Sequence, residues 1–261
     1  MPAQNIVELF THDQRLAVRY PDTRREVTPT VVRHLPLVAG QGDGSIIYSR
    51  LDETNVEAEI QTQIDYFENL GLSFEWKVYD YDRPADLKER LAAFGFALEE
   101  AEAIMVLELA ETGPLLSQTI QPDIRRLTAP EQLADVLVVE QAVWDSDQQW
   151  LVDYLGDCLS GTPEQMSVYV AYVEAQPVSA AWIYFPPDSQ FASLWGGSTL
   201  AEFRGRGLYS TLLAVRAQEA KRRGVNYLTV DASPMSRPIL EKFGFEVIAE
   251  ATPCKWMVQP E

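Results

Sequence analysis

The residues best suited to chemistry stand late in the chain, in the run Arg204-Gly205-Arg206-Gly207-Leu208-Tyr209. A strand within the run Leu194 to Phe203 precedes it, and an amphipathic helical pattern from about Leu208 to Arg223 follows. A glycine-containing turn opening a helix makes an anion site. Its first amides have no intrahelical partners, and the helix dipole favours negative charge there. Gly205 and Gly207 let the backbone take positive φ and close on a phosphate. Between Leu200 and Val225 the six basic residues Arg204, Arg206, Arg216, Lys221, Arg222 and Arg223 face two acidic ones, Glu202 and Glu219, a local +4 in a chain of net charge −18. Cations in the last turn of a solvated helix account for Lys221–Arg223 but not for Arg204 and Arg206 at the positive end. A polyanionic ligand accounts for both. A dinucleotide turn would need Gly-x-Gly-x-x-Gly and a Walker loop Gly-Lys-Ser/Thr, and neither occurs here.

The loop resembles the acetyl-CoA signature of the GNAT superfamily of N-acetyltransferases, Arg/Gln-x-x-Gly-x-Gly/Ala, here Arg204-x-x-Gly207-x-Tyr209. Thr199 falls where the family's cofactor-binding strand ends, with Asn226–Val230 as the next strand and Pro234–Phe243 holding the following helix. The resemblance spans about Asp123 to Val258. It implies acetyl-CoA as donor, contacted by Gly197, Ser198, Thr199, Arg204, Gly205, Arg206, Gly207, Leu208, Tyr209, Ser210, Ser233 and Ser236. It also implies transfer of the acetyl group to a primary amine of a small molecule or peptide. A non-catalytic acetyl-CoA sensor or scaffold is the alternative.

Three positions depart from the family. Tyr209 stands where the signature ends in a small residue, which is tolerable if its ring points away from the pyrophosphate. Ser233 replaces the usual Asn at the start of the last helix, where it can still cap. Leu240 replaces the Tyr that many members use as general acid, and Leu has no proton to give. Ser236 and Tyr209 are candidate substitutes, or water. No carboxylate lies between Leu194 and Leu200; Asp231 and Glu202 are the nearest acids, and no base is assigned. The family admits acceptors beside the first helices, here Val143 to Asp157. Its Trp144 and Trp150 interleave with Asp145, Asp147, Asp153 and Asp157, which could hold a cationic amine. The other reading is an amphipathic helix with Trp150, Leu151, Tyr154 and Leu155 in the core.

The elements that would position these residues occur twice. The run from Asp82 to Phe96 aligns without gaps with Asp231 to Phe245, sharing the leading Asp, Leu91 with Leu240, and the closing Phe-Gly-Phe. Each follows a β-rich run (Leu72–Tyr79 and Asn226–Val230) and precedes another apolar stretch (Ala103–Leu109 and Lys255–Val258). Upstream of each lies a helix ending at a glycine, from about Asn55 to Leu70 and from about Leu208 to Arg223. This order predicts a duplicated α/β (α+β) unit, giving tandem GNAT-like mixed β-sheets flanked by helices. The expected halves are 1–115, a degenerate unit without a cofactor loop, and 120–261, the acetyltransferase domain. Glu111–Pro122, poor in apolar periodicity, is the expected linker. Ahead of its helix the first half has Leu51-Asp52-Glu53-Thr54-Asn55, with no glycine and two carboxylates that oppose a pyrophosphate.

Composition narrows the function classes. With two cysteines (Cys158, Cys254) and two early histidines (His12, His34), a zinc site or His-based triad is disfavoured, and no metal is expected. The charge of −18 repels nucleic acid and favours solubility or cationic partners. No stretch approaches the roughly 20 apolar residues of a membrane span. Met1–Asn5 lacks the order of a secretion signal, so a cytoplasmic protein is expected. The sequence is silent on oligomeric state.

Overall fold

A computed structural model of the chain describes residues 3–38, 42–110, 113–120 and 123–258. These fall into two compact units. The first comprises residues up to Met105, Asp231–Met235 and the chain from Val247; the second comprises Val106–Val230 and Ser236–Glu246. The units are therefore discontinuous in sequence. Within the expected linker, Glu111, Thr112, Gln121 and Pro122 lie outside the described residues, and Pro114–Ser117 forms a short helix. Among the described residues, no helix is long and apolar enough to cross a membrane.

The first unit opens with α1 (Ala3–Phe10), which runs on as a π-helical turn over Thr11–Leu16. There follow β1 (Thr23–Val27), β2 (Val31–Pro36), β3 (Gly44–Ser49), α2 (Val56–Asn69), β4 (Phe74–Tyr79), α3 (Leu87–Ala93) and β5 (Ala97–Leu98). β6 (Glu102–Glu108) is divided between the units. The second unit contains α4 (Pro114–Ser117), β7 (Asp123–Leu127), α5 (Ala134–Trp144), α6 (Gln149–Gly161), β8 (Met166–Val173), β9 (Gln176–Tyr184) and β10 (Phe191–Thr199). It continues through α7 (Leu208–Arg222), most of β11 (Tyr227–Ala232) and α8 (Arg237–Lys242). The last strand, β12 (Glu246–Trp256), runs antiparallel to β4 from Ala251 to Trp256 and completes the first unit's sheet. It is much longer than the expected Lys255–Val258.

Each unit repeats one plan. In the first, β1, β2 and β3 pair antiparallel and β3 then pairs parallel with β4. In the second, β7 to β10 pair antiparallel in order and β10 then pairs parallel with β11. A helix makes each parallel crossover: α2 or α7. The expected stops recur too. Phe96 N donates to Leu91 O at 3.1 Å and Phe245 N to Leu240 O at 3.2 Å, the six-to-one bond that closes a helix at Gly95 and Gly244. Leu91 and Leu240, aligned in sequence, are both fully buried.

The crossover helices bury different faces. α2 inserts Val56, Ile60, Ile64 and Phe67 into a core with Ile46, Phe74, Trp76 and Cys254. Each such side chain contributes about 1.5–3 kcal/mol by leaving water. α7 buries Leu208, Leu212, Leu213, Ala214 and Ala217 but also Arg216 and Glu219. Cys158 and Cys254 are both buried, in α6 and β12, and form no disulfide.

Candidate active site

Two glycines break the regular course of β10. Gly196 pairs with Ala181 of β9 and Ser198 with Ala180, leaving Gly197 as the extra residue of a β-bulge. Gly196 and Gly197 have φ of 69° and 98°, and a Cβ at either would lie 2.5 Å from the Trp182 ring or 2.7 Å from the Tyr209 ring. No side chain fits there. On its other side β10 pairs with β11 only from Phe191 to Ser193, so Leu194–Thr199 run past the end of the parallel register. The carbonyls of this segment are taken up by side chains: Trp195 O by Arg216 Nη1 at 3.1 Å, Ser198 O by Ser179 Oγ at 2.6 Å, and Thr199 O by Arg204 Nε at 3.1 Å.

After Thr199 a short turn, Ala201–Phe203, leads into the loop. Arg204, Gly205, Arg206 and Gly207 are all exposed. Gly205 and Gly207 have φ of 74° and 79°, and a Cβ at either would meet nothing within 4 Å. The backbone here is left-handed and open on its outer side at the start of a 15-residue helix, an arrangement that favours negative charge. Leu208 is buried and anchors the first turn, while Tyr209 lays its half-buried ring on Gly197. The ring thus turns toward the strand. Arg206 stacks over Phe203 at 4.9 Å.

The basic island expected from the sequence is broken up by the fold. Arg216 is 2% exposed and spends its donors on the carbonyls of Leu212, Trp182 and Trp195; burial holds its pKa down to about 10. Lys221 donates to Leu109 O and Arg223 pairs with Glu219 at 2.7 Å. Only Arg204 and Arg206 stand at the loop itself.

A carboxylate absent from the expected set also reaches the bulge. Glu140 of α5 is 2% exposed, and its Oε2 accepts from Ser198 Oγ at 2.8 Å and from Trp144 Nε1 at 2.9 Å. Its Oε1 is buried without a hydrogen-bond partner. Burial pushes the Glu140 pKa above the ordinary carboxylate value, against the opposing pull of the two hydrogen bonds. Sequence reasoning missed it because the link to Ser198 spans 58 residues. Its local signal is a glutamate that directly follows the apolar run Val136–Val139 of α5.

The remaining expected residues are dispersed. Ser233 does not cap the last helix, because α8 begins at Arg237 with Ser236 in the N-cap position. The bond pattern Ile239 N and Leu240 N to Ser236 O fixes that start. Ser233 belongs to the first unit and Ser236 to the second. Asp231 is committed to an ion pair with Lys77, which also bonds Glu102 at 3.0 Å. Glu202 is exposed in the turn. Of the expected core residues in α6, Leu151 and Leu155 are buried, but Trp150 is 66% exposed and Tyr154 half-buried. Trp144 is 64% exposed.

The first unit carries a second bulge of the same kind. β3 pairs with β4 in parallel only from Gly44 to Ile46, and Ile47 is the extra residue against β2. There Arg15 fills the place beside it. Its Nε donates to Ile47 O at 2.8 Å, its Nη atoms reach Asp82 at 2.9 and 2.8 Å, and its guanidinium lies 3.8 Å over the Tyr79 ring. Arg15 is fully buried. A cleft of about 430 Å³ remains alongside, lined in part by Thr11, Tyr48, Ser49 and Tyr81.

A bulged strand, a splayed parallel pair and an open glycine turn at the head of a long helix are brought together in the second unit. Residues 127–245 match the model of the acetyltransferase (GNAT) family, and this carboxy-terminal half belongs to that family. No curated protein matches the sequence. Among solved structures, a GCN5-related N-acetyltransferase from Kribbella flavida is similar over 97% of this chain and 93% of its own, with TM-score 0.66 and 14% identity. A functionally unknown conserved protein from Staphylococcus epidermidis is similar over 92% and 96%, with TM-score 0.69 and 16% identity. A tandem GNAT protein from the clavulanic acid biosynthesis pathway is similar over 94% and 86%, with TM-score 0.64 and 14% identity. At such identities the likeness is one of fold, and it extends to the amino-terminal half.

Proposed function

We propose that the second unit transfers an acetyl group from acetyl-CoA to a primary amine of a small molecule or peptide. The observation that carries this reading is the open, left-handed Gly205–Gly207 loop at the head of α7, reached from a strand whose bulge at Gly197 only glycine can form. Amides of Gly205 to Ser210 would hold the pyrophosphate, with Arg204 and Arg206 adding positive charge. Gly197, Ser198 and Thr199, at the strand end, would lie along the thioester arm. A bulge amide there can stabilise charge developing on the carbonyl oxygen. Ser236, at the head of α8, and Ser233 are proposed contacts of the same donor.

The exposed Trp144 and Trp150, among Asp145, Asp147, Asp153 and Asp157, suit a cationic acceptor through aromatic faces and charge. Leu240 is buried in α8 and supplies no proton, so the departing thiolate takes one from water or from the hydroxyl of Tyr209 or Ser236. We place the protein in the cytoplasm, a reading that two buried cysteines without a disulfide support. Thiol release from acetyl-CoA across a panel of amines tests the function. Tight binding of acetyl-CoA with no thiol released for any amine favours a sensor, and no binding ends both readings.

A further inference from the structure

The second unit holds a buried acid that its packing does not explain. Buried carboxylates are ordinarily matched to a cation, because an unpaired buried charge is costly. Asp82 follows that rule with Arg15, and Glu219 with Arg223. Glu140 does not. The groups that act on it are Ser198 of β10 and Trp144 of its own helix, both neutral, and no charged side chain from α6, β9, β10 or α7 contributes to its titration. One oxygen has no partner at all. A residue placed merely to tie α5 to β10 would be better as Gln or Ser, which satisfy the same donors without a buried charge.

Resting on the acetyltransferase reading above, we propose that Ser198 and Glu140 are the proton-accepting pair for the acceptor amine. Ser198 directly follows the bulge residue Gly197, where the parallel register with β11 has already ended. Its hydroxyl already points at Glu140 Oε2, 2.8 Å away. As the amine nitrogen bonds to the thioester carbon, the carbon–sulfur bond breaks and its electron pair leaves on the coenzyme A thiolate. The N–H proton passes to Ser198 Oγ while the Ser198 proton passes to Glu140 Oε2. Glu140 then returns its proton to water, and the pair is restored. A carboxyl whose proton affinity is raised by burial takes up a proton more readily than an exposed one. Trp144 Nε1 fixes the accepting oxygen.

The test uses the full chain. Calorimetric titration of the wild type with coenzyme A first checks the donor site. Glu140→Gln and Ser198→Ala are then assayed with acetyl-CoA and, as acceptors, tyramine, spermidine and a lysine-containing dipeptide. The expected result is kcat lower by about 100-fold in both variants with acceptor KM little changed, and, in Glu140→Gln, coenzyme A affinity within about threefold of wild type. The acidic limb of the pH–rate profile, present in wild type, disappears in Glu140→Gln, and Glu140→Asp regains part of the rate. A readout independent of turnover is the indole ¹⁵N–¹H resonance of Trp144. It should step with pH at a midpoint above the ordinary glutamate value of 4.5, and the step should vanish in Glu140→Gln. A step at or below that value, or no step, overturns the proposal even if the true acceptor lies outside the panel. Full turnover with the acidic limb retained in Glu140→Gln overturns it as well. Absence of coenzyme A binding in the wild type removes the acetyltransferase reading and the pair with it; normal binding with an unaltered Glu140→Gln removes the pair alone.

Discussion

The two bulges separate what a fold inherits from what a site requires. In β10 the extra residue is Gly197, flanked by Gly196 and overlaid by one tyrosine ring. In β3 it is Ile47, and the space beside it is taken by a buried arginine clamped between Ile47 O and Asp82. Both strands leave their parallel partner after three residue pairs. The backbone irregularity therefore survives in both units, while the opening survives in one. Beyond the bulge the contrast continues, with Gly205 and Gly207 exposed ahead of α7 but Asp52 and Glu53 ahead of α2. Asp52 accepts from the amide and hydroxyl of Thr54, which holds its carboxyl below the usual pKa. That loop is built around its own anion and has no vacancy for a second.

The comparison is broken most directly at Arg15. Replacing it with Met leaves Asp82 buried and unpaired, and should cost about 3–5 kcal/mol. Urea unfolding followed by hydrogen exchange in β3 and β4 reads the loss, and a change below about 1 kcal/mol would mean the plug is decorative.

A second contrast lies in acid. Both histidines precede residue 35, and His34 is buried with its Nε2 unpartnered, so burial pushes its pKa down to about 4. The unfolded chain binds that proton more readily. Stability of the first unit is thus full above pH 6.5 and should fall by about 3 kcal/mol as pH drops toward 4. Glu140 has the opposite sign: its raised pKa means the second unit gains as pH falls through that pKa. Hydrogen exchange at pH 7 and 4.5 should show protection lost in β2 and kept in β10. Equal loss in both contradicts the assignment, and His34→Phe should flatten the first unit's response.

Coenzyme A affinity gives a third, somewhat smaller effect. Gly205→Val or Gly207→Val forces a β-branched residue into positive φ and should weaken binding by about 30-fold, or about 2 kcal/mol. Thr54→Gly in the first unit's loop should create no binding, since glycine alone does not remove Asp52 and Glu53. The smallest change is expected at Tyr209→Phe. Its ring contact with Gly197 persists, so affinity should hold within about twofold, and a larger drop in kcat would assign the thiolate's proton to its hydroxyl.

What could be read in the sequence follows from the range of the forces involved. Helix stops at Gly95 and Gly244, the crossover helices and the Arg204–Tyr209 loop are local, set by neighbours within a turn or two, and they stand where the residues indicated. The direction of the Tyr209 ring, which lies on Gly197, was set by the strand it meets and not by the loop's own residues. Residues whose role depends on distant partners were not legible. Glu140 acquires meaning from Ser198, Arg15 from Asp82, and Arg216 from carbonyls that only a folded sheet presents. The cap illustrates the same limit on a smaller scale, since Ser233 and Ser236 are both plausible from composition and only the backbone path selects the second.

The placement of β12 has a consequence for how the protein is made. Trp76, Phe74 and Phe96 begin their core early in translation, yet Cys254 and Trp256, which close it, emerge from the ribosome about 160 residues later. The segment that ends as β10, α7 and the glycine loop is thus complete and able to fold while the amino-terminal sheet still waits with an uncovered edge at β4. A nascent chain stalled before residue 246 should expose that edge to chaperones or to aggregation, and emergence of Glu246–Trp256 should end the exposure.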